Sequence, residues 1–259
     1  MSIIVESDAE NVNEALLLYN NVFEEGTITS TPGTDHENAI EDTTFDYWIT
    51  GPPNSKLKVS LGAGYTCDCV GVAAHTMGTD GASFRVQHSS DGMSWTGATS
   101  LISPLTDETI MVKFKPVTAD YWRFMITTAD TTIGVVKLGE ALKMPNGVLS
   151  GHTAINHANR IKLLTNNSVG GHFLGSRVKS IGGETDINFG LIETSYLEND
   201  MAMFESHFNN GRAFFYAGAP DSFPDDCGYC WRNGGEMRPS YEEGGTLANI
   251  SLSVAVYDG

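Results

Sequence analysis

The amino-acid sequence predicts a mainly β chain with two β-sandwich domains, the second carrying one α-helix on its flank. Residues 57–61 and 84–86 alternate apolar and polar side chains, a period of two that is typical of half-buried strands. Turn signals at residues 79–81 and 90–92 separate such segments, and the chain contains 28 glycines. One stretch instead repeats apolar residues at helical spacing, at Leu197, Met201, Phe204 and Phe208.

Length and composition set the number of domains. At 259 residues, with 41% hydrophobic and 18% charged residues, the chain has the size and balance of two folded domains. Pro145, Gly147 and Gly151 are typical of a linker. We therefore predict a first domain over residues 1–143, a linker over 144–152 and a second domain over 153–259. The apolar run 15–19 is expected to form a strand along the first sandwich.

The second half has a different pattern. Strands are predicted over residues 160–164, 171–178 and 185–189, then the helix over 195–210, and further strands over 213–217, 228–231 and 250–257. Ser195 and Glu198 have the spacing of a capping box at the start of the helix. Gly211 stands where a glycine commonly ends a helix.

The charge argues against two classes of partner. With 15 Lys and Arg against 32 Asp and Glu, the formal net charge is −17, which disfavours binding to nucleic acid and to anionic lipid. No apolar run approaches the roughly 18 residues needed to span a membrane. The amino terminus is acidic where a secretory signal would be basic, so synthesis and folding are expected in the cytoplasm.

The order of motifs in the first half resembles a known family. Residues 57–62 read LKVSLG, 70–75 read VGVAAH, 84–96 read FRVQHSSDGMSWT and 121–126 read YWRFMI. In this order they resemble the galactose-binding-like, discoidin-type jelly-roll β-sandwich. The resemblance implies a module for adhesion or docking.

The second half resembles another family. Residues 171–183 read GHFLGSRVKSIGG, 212–231 read RAFFYAGAPDSFPDDCGYCW and 247–259 read LANISLSVAVYDG. With the helix between them, they are similar to distal-tail and tail-tube domains of tailed bacteriophages. The resemblance implies a non-enzymatic structural protein of a virion tail tip or baseplate, assembled in the host cytoplasm. It further implies a homo-oligomeric ring of six copies, contacts with other tail proteins, and attachment to a host-surface glycan.

The first resemblance also implies a calcium site. In discoidin-type domains the loop that corresponds to residues 38–42 helps to hold a structural calcium ion, with a later carboxylate. Here Asn38, Glu41 and Glu140 occupy those positions, and oxygen ligands of this kind suit calcium. The sequence has Glu41-Asp42 where the family has Asp-Gly, and a missing glycine removes an easy left-handed turn. A solvated acidic loop is the alternative, and no other cofactor is expected.

A glycan site in this fold would combine an aromatic ring for stacking with polar side chains for the sugar hydroxyls. Trp48, His75, Asp80 and Trp95 are the candidates. The alternative is that both tryptophans belong to the core or rim of the sandwich. We also interpret Arg123 as the partner of a buried carboxylate.

Two further functions remain as alternatives. Cys67, Cys69, Cys227 and Cys230 could supply four thiolates to zinc, or could be buried as small apolar side chains, since residues two apart in a strand share one face. The sequence has none of the common catalytic motifs, so we predict no enzyme, with polysaccharide hydrolysis by scattered carboxylates as the weaker alternative. Self-assembly is assigned to the second domain, with Phe215, Tyr216 and Phe223 as interface candidates.

Overall fold

The computed structural model describes residues 2–10, 13–30, 33–148 and 152–257, and its described part is mainly β. Eleven strands come before the linker: β1 Ser2–Val5, β2 Leu16–Leu18, β3 Thr27–Ser30, β4 Gly33–Thr34, β5 Trp48–Thr50, β6 Ser55–His75, β7 Phe84–Ser89, β8 Thr96–Gly97, β9 Ile110–Ile126, β10 Thr132–Gly139 and β11 Leu142–Lys143. Six come after it: β12 Asn159–Asn167, β13 Phe173–Glu193, β14 Phe214–Ala219, β15 Phe223–Arg232, β16 Ser240–Tyr241 and β17 Leu247–Val256. The α-helices are α1 Met77–Asp80, α2 Thr194–Asn199 and α3 Ala202–Asn209, and 3-10 turns span Val22–Glu24, His36–Ala39 and Ile155–His157.

The first half is a jelly-roll sandwich made from one nine-stranded sheet that bends over itself. Strand order is β4-β5-β10-β6-β9-β7-β8, with β3 added to β6 and β1 added in parallel to β9. The long strands β6 and β9 pair with each other through two register shifts, where bulges let a strand bend. Each therefore contributes to both layers. Layer one contains β3, β7, β8, the start of β6 and the end of β9. Layer two contains β1, β4, β5, β10 and the remaining parts of β6 and β9.

Side chains that alternate along these strands fill the space between the two layers. Leu57 and Val59 of β6 face Val70 and Val72 of the same strand across this core, and Trp122 of β9 is fully buried in it. Burial of large apolar side chains is the main favourable term in folding. The expected period of two at the start of β6 is confirmed.

The second half forms one continuous eight-stranded sheet in the order β11-β2-β14-β15-β17-β13-β12, with β16 added to β17. The helices α2 and α3 cover one face of this sheet, where their side chains join the second core. The prediction of a mainly β chain with antiparallel sheets is confirmed. The flank of the second half carries two short helices where one longer helix was expected.

The predicted helix over residues 195–210 is broken near Met201. Its four apolar side chains, Leu197, Met201, Phe204 and Phe208, are all buried in the second core, as predicted. The break has a local cause: the Asn199 side-chain amide donates to the carbonyl of Ser195, at 2.7 Å, and so competes for a backbone acceptor of the helix. Gly211 ends α3 with φ +76°, the left-handed conformation expected of it.

The start of α2 differs from the expected capping box. The N-terminal capping residue is Glu193, and the Ser195 hydroxyl donates to its carboxylate rather than accepting from the backbone. The Thr194 backbone N–H is bonded to the carbonyl of Thr246 instead. The neighbouring chain therefore satisfies a donor that a capping side chain would otherwise satisfy.

A third apolar core joins the two halves. The outer face of layer two packs against the face of the second sheet opposite its helices, and Met111, Val135, Phe215 and Tyr229 are buried there. Gly71 makes this close approach possible, because a Cβ at that position would lie 2.5 Å from the Phe215 ring. The two halves therefore share a buried interface.

The run at residues 15–19 corrects one expectation. Leu16–Leu18 does not lie along the first sandwich but pairs with β14 and β11 of the second sheet. Its alternating side chains explain this, since Leu17 joins the second core while Leu16 and Leu18 join the interface. The proposed division near residues 144–152 stays a prediction, and residues 149–151 of that linker lie outside the described part. Among the described residues, no helix is long and apolar enough to cross a bilayer.

Candidate functional site

The outer face of layer one is only partly open to solvent, since Gln87, Ser89 and Met125 on it are buried and its Lys, Arg and Tyr side chains are half-buried. Strand alternation puts the core residues of β3, β6, β7 and β9 on one side and the remaining positions outward. The outward positions are Thr27, Thr29, Lys56, Lys58, Ser60, Arg85, Gln87, Ser89, Tyr121, Arg123 and Met125. None of these outward positions carries a carboxylate, in a chain with 32 Asp and Glu.

Two cations and two aromatic rings meet on this face. The Arg123 guanidinium lies 4.1 Å from the centre of the Trp95 ring. The Lys58 ammonium lies 5.4 Å from the same ring and 5.3 Å from the Tyr121 ring. Cation–π contacts of this kind fix the orientation of both groups. We call Lys58, Trp95, Tyr121 and Arg123 the aromatic–basic patch.

Neighbouring strands set the positions within this patch. Lys58 of β6 is the cross-strand partner of Arg123 of β9, which is in turn the partner of Gln87 of β7. The Arg123 Nε donates to the Gln87 side-chain oxygen at 2.9 Å. Side chains directly opposite each other in an antiparallel pair are close enough to interact. The sheet therefore holds the patch together across three strands.

The turn at residues 89–94 positions Trp95. Asp91 Oδ1 accepts hydrogen bonds from the backbone N–H groups of Met93 and Ser94, both at 2.8 Å, and from the Ser89 hydroxyl. These bonds, first the one from Ser94, lower the pKa of Asp91 to about 2. Gly92 has φ +70°, and the Lys58 ammonium contacts its carbonyl oxygen. The turn therefore links Trp95 to the patch through hydrogen bonds that the Asp91 side chain accepts.

The positive charge of the patch is not neutralised within the described ranges, where Lys58, Arg85 and Arg123 form no ion pair. Burial, and then the charge of Arg85, lower the pKa of Arg123. The buried Nε of Arg85 has no hydrogen-bond partner among the described residues. Buried polar groups normally have partners. The face can therefore accept an anionic group.

The four predicted glycan-site residues do not form one site. Trp48 is fully buried in the first core and cannot stack on a sugar. His75 is buried and engaged on both ring nitrogens, by the Glu108 carbonyl and the Met77 backbone N–H. Exposed Asp80 accepts from the Thr76 hydroxyl at 2.5 Å. Only Trp95 lies in the aromatic–basic patch.

Sequence reasoning missed three members of the patch. Arg123 was interpreted as the partner of a buried carboxylate, but its partners are Gln87 and the Trp95 ring. Lys58 and Tyr121 received no role. A signal was available, since both residues occupy the polar positions of strands that alternate strictly, and such positions share one exposed face. The sequence does not show the strand register that places Lys58 of β6 beside Arg123 of β9.

The three predicted calcium ligands have different surroundings. The side chains of Glu41 and Glu140 are exposed, and the Asn38 amide donates to the carbonyl of Tyr47 at 3.1 Å. The neighbouring Asp42 carboxylate already faces two cations, the Lys137 ammonium at 2.5 Å and Arg212 Nε at 3.1 Å. Lys137 and Arg212 therefore balance the negative charge of Asp42. The calcium site stays a prediction.

The four cysteines are buried thiols without disulfide bonds. Cys67 lies in the first core, Cys69 and Cys227 lie in the interface, and Cys230 lies in the second core. Cys67 and Cys69 were expected to share a face, but a register shift between them turns them to opposite faces. Burial, above all, raises the pKa of each thiol. Among the described residues, no group of three or more His, Cys, Asp or Glu could hold a metal ion.

The three candidates for an assembly interface differ in their exposure. Phe215 and Tyr216 are fully buried, on opposite faces of the second sheet. They contact their own chain and are not available to a second subunit. Phe223 is 68% exposed. It is the one of the three that another molecule could contact.

No protein-family model matches the chain. No curated protein matches it either. Solved structures show partial likenesses that cover about half of it. A pectin-binding carbohydrate-binding module is 17% identical, with a TM-score of 0.37, over 46% of this chain and 91% of the module. A CBM32 module in complex with 4,5-unsaturated mannuronic acid is 22% identical, with a TM-score of 0.38, over 46% and 95%.

A third likeness is to a module from Clostridium perfringens in complex with GalNAc-β-1,3-galactose. It is 11% identical, with a TM-score of 0.40, and covers 48% of this chain and 99% of the module. None of these structures is described as a phage tail protein. At these identities and scores the likenesses concern the fold and carry no argument about a ligand. About half of the chain is similar to these carbohydrate-binding modules.

Proposed function

We propose that this chain binds a glycan that carries acidic groups, through the aromatic–basic patch on the outer face of layer one. One observation carries the proposal: Lys58 and Arg123, which form no ion pair in the described part of the chain, lie beside the rings of Trp95 and Tyr121. An aromatic ring stacks on the apolar face of a sugar, and a few placed polar groups bind its substituents. Cations add recognition of a carboxylate or sulfate.

The overall charge narrows the class of ligand. A nucleic acid also has acidic groups and flat rings, but a chain with a net charge of −17 would repel its dense negative charge. An acidic oligosaccharide needs only a local positive site. Binding without catalysis is proposed, because the patch contains no carboxylic acid that could act as general acid or nucleophile on a glycosidic bond.

The test compares acidic and neutral sugars of similar shape. The full chain is titrated by calorimetry with oligogalacturonate and with a neutral galacto-oligosaccharide of the same length. Oligogalacturonate should bind more tightly. Arg123→Gln should weaken binding about tenfold or more, since a hydrogen bond to a charged group contributes about 1.5–3 kcal/mol. Trp95→Ala should weaken binding because it removes the ring that stacks on the sugar.

A matched control removes the same charge elsewhere. Arg238 is exposed and pairs with Glu236 at 3.0 Å, away from the patch, so Arg238→Gln should leave the affinity unchanged. Equal affinity for the neutral sugar, or an unchanged affinity in the Trp95→Ala variant, would contradict the proposal.

Assembly with further protein subunits is a second candidate function, favoured by the hairpin of β12 and β13. Its exposed large apolar side chains are Ile161, Leu163, Leu164, Val169, Phe173, Leu174 and Val178. Contiguous exposed apolar surface commonly marks a protein interface. We propose that a second copy of this chain covers this apolar surface. Such self-association would form the ring that the sequence resemblance implies for a virion tail tip, where the chain would also contact other tail proteins.

Sedimentation of the full chain at increasing concentration tests this second candidate. A ring predicts a defined higher oligomer that the substitution Leu163→Ser weakens. A strictly monomeric chain at high concentration would remove the support for self-assembly. The two candidate functions are compatible, since the patch and the hairpin lie on different halves of the molecule.

A further inference from the structure

A pocket in the second half contains a buried histidine with an unused ring nitrogen. The pocket has a volume of about 610 Å³, within the range of about 300–1,000 Å³ that small-molecule sites occupy. His152 lines it together with Asp226, Val148, Phe223 and Pro224. It lies beside β15 and is distinct from the aromatic–basic patch, which belongs to the first half.

Hydrogen bonds fix the His152 ring. Its Nε2 lies 3.0 Å from Asp226 Oδ2 and 3.3 Å from the Tyr216 hydroxyl. The other oxygen of Asp226 accepts the backbone N–H of Ile155 at 2.7 Å. Burial, and then the charge of Asp226, raise the pKa of Tyr216, so this hydroxyl stays protonated. In a neutral imidazole, the Asp226 carboxylate, which can only accept, places the ring proton on Nε2.

The remaining nitrogen is then an acceptor without a donor. With the proton on Nε2, the Nδ1 of a neutral imidazole carries a lone pair. The His152 side chain is 7% exposed, and its Nδ1 has no hydrogen-bond partner in the part of the chain that the structure describes. A buried polar atom left unpaired costs free energy. A ligand in the pocket with a hydrogen-bond donor would recover it.

The backbone is shaped to admit this arrangement. A Cβ at position 218 would lie 2.0 Å from Asp226 Oδ2 and 2.7 Å from the Tyr216 hydroxyl. Only glycine at position 218 leaves room for both groups to reach His152. The histidine is therefore held by a packed set of residues and does not rest on one surface contact.

The lining determines the chemistry of the ligand. Its ionisable residues are Asp225, Asp226, His152 and His157, and no Lys or Arg lines the described pocket. Carboxylates favour a cation and disfavour an anion. Phe223 offers a largely exposed ring at the pocket, next to Pro224. We propose that this pocket binds a small ring-bearing amine, whose ammonium group donates to His152 Nδ1 and whose ring packs on Phe223.

The experiment titrates the full chain with benzylamine at pH 8 and follows the ring nitrogens of His152 by long-range ¹H–¹⁵N correlation. Benzoate is the matched anionic probe, since it keeps the ring but offers no donor. We expect saturable movement of the His152 Nδ1 resonance with benzylamine and none with benzoate. Tight binding of benzoate, or no movement with benzylamine at saturating concentration, would overturn the proposal.

Two variants separate binding from folding. His152→Gln identifies the resonance and should abolish binding, but it also breaks the bond to Asp226. Phe223→Ala changes an exposed side chain and should weaken benzylamine about tenfold through loss of the ring contact. Phe45→Ala removes an exposed ring in the first half of the chain and should leave benzylamine binding unchanged. Unchanged binding in Phe223→Ala would show that the ring does not contribute, against the proposal.

Discussion

Asp42 and Arg212 join the two halves of the chain, with 3.1 Å between Arg212 Nε and the Asp42 carboxylate. Asp42 belongs to the first sandwich, and Arg212 follows α3 in the second half. The same carboxylate accepts the Lys137 ammonium and the backbone N–H of Ala213, and the Tyr229 hydroxyl donates to the carbonyl of Asp42. Asp42 therefore makes polar contacts with both halves at the edge of the apolar interface.

The substitution Asp42→Ala should destabilise the protein strongly. It leaves the Lys137 ammonium, which is fully buried, without its carboxylate. Removal of one partner of a buried ion pair costs about 3 kcal/mol or more. Urea unfolding measures the loss. Glu236→Ala breaks the exposed pair with Arg238 and serves as control, since exposed pairs contribute about 0–1 kcal/mol. Equal effects of the two substitutions would contradict the buried role of Asp42.

Acid should weaken the same contact. Burial alone would raise the pKa of Asp42, but the charges and hydrogen bonds of Lys137 and Arg212 outweigh it and lower the pKa. A carboxyl group whose pKa is lower in the folded state stabilises the fold above its unfolded pKa, about 3.9, and this stabilisation is lost as pH falls through the folded pKa. Thermal unfolding of the parent should therefore depend on pH below about 4 more steeply than that of Asp42→Asn. Parallel curves would exclude this contribution.

Cleavage of the linker should not separate the halves. Pro and Gly at residues 144–152 predict a site that proteases reach. The third core, with Phe215 and Tyr229 on one side and Met111 and Val135 on the other, should hold the fragments together. Limited proteolysis followed by size-exclusion chromatography would show two bands on a denaturing gel but one native peak. Two native peaks of half size would mean that the halves fold and exist independently.

The helical stripe should contribute to stability as the sequence predicts. Phe204 is fully buried and packs edge-on against Phe214 and Tyr19. Phe204→Ala should lower the unfolding free energy by about 3–5 kcal/mol. Met203→Ala on the exposed side of the same helix is the control, and thermal unfolding compares the two. A Phe204 variant as stable as the control would show that this stripe is not core.

Local patterns predicted the elements better than their partners. The alternation at Leu57 and Val59 and the stripe through Phe204 and Phe208 each bury one face, so the sequence itself carries that information. The run at residues 15–19 was assigned to the wrong half, because an apolar strand shows that it is buried but not where it pairs. The bulge between Cys67 and Cys69 likewise leaves no mark in the sequence.

The candidate site was predictable only in part. Trp48 begins β5 in layer two and Trp95 directly precedes β8 in layer one, and the first is fully buried whereas the second is half-buried beside Arg123. What distinguishes them is their position on the two faces of the sheet. A set of residues drawn from three strands, such as Lys58, Gln87 and Arg123, depends on the register of long-range pairs, which no local pattern encodes.

The turn at Asp91 should control the affinity of the aromatic–basic patch. Asp91→Ala removes the acceptor of the Met93 and Ser94 backbone N–H groups and frees Trp95 from its position over Arg123. Asp91→Asn keeps a side-chain oxygen that can accept the same bonds, since both residues favour such turns. Binding of oligogalacturonate should therefore fall severalfold in the alanine variant and be largely retained in the asparagine variant. Thermal unfolding should differ little between them, because Asp91 is exposed.

The low pKa of Asp91, about 2, predicts that the turn persists when the pH is lowered to 4. Tryptophan fluorescence of the parent, with Trp95→Ala as reference, measures this. Equal affinities of the two Asp91 variants would show that the turn does not position Trp95.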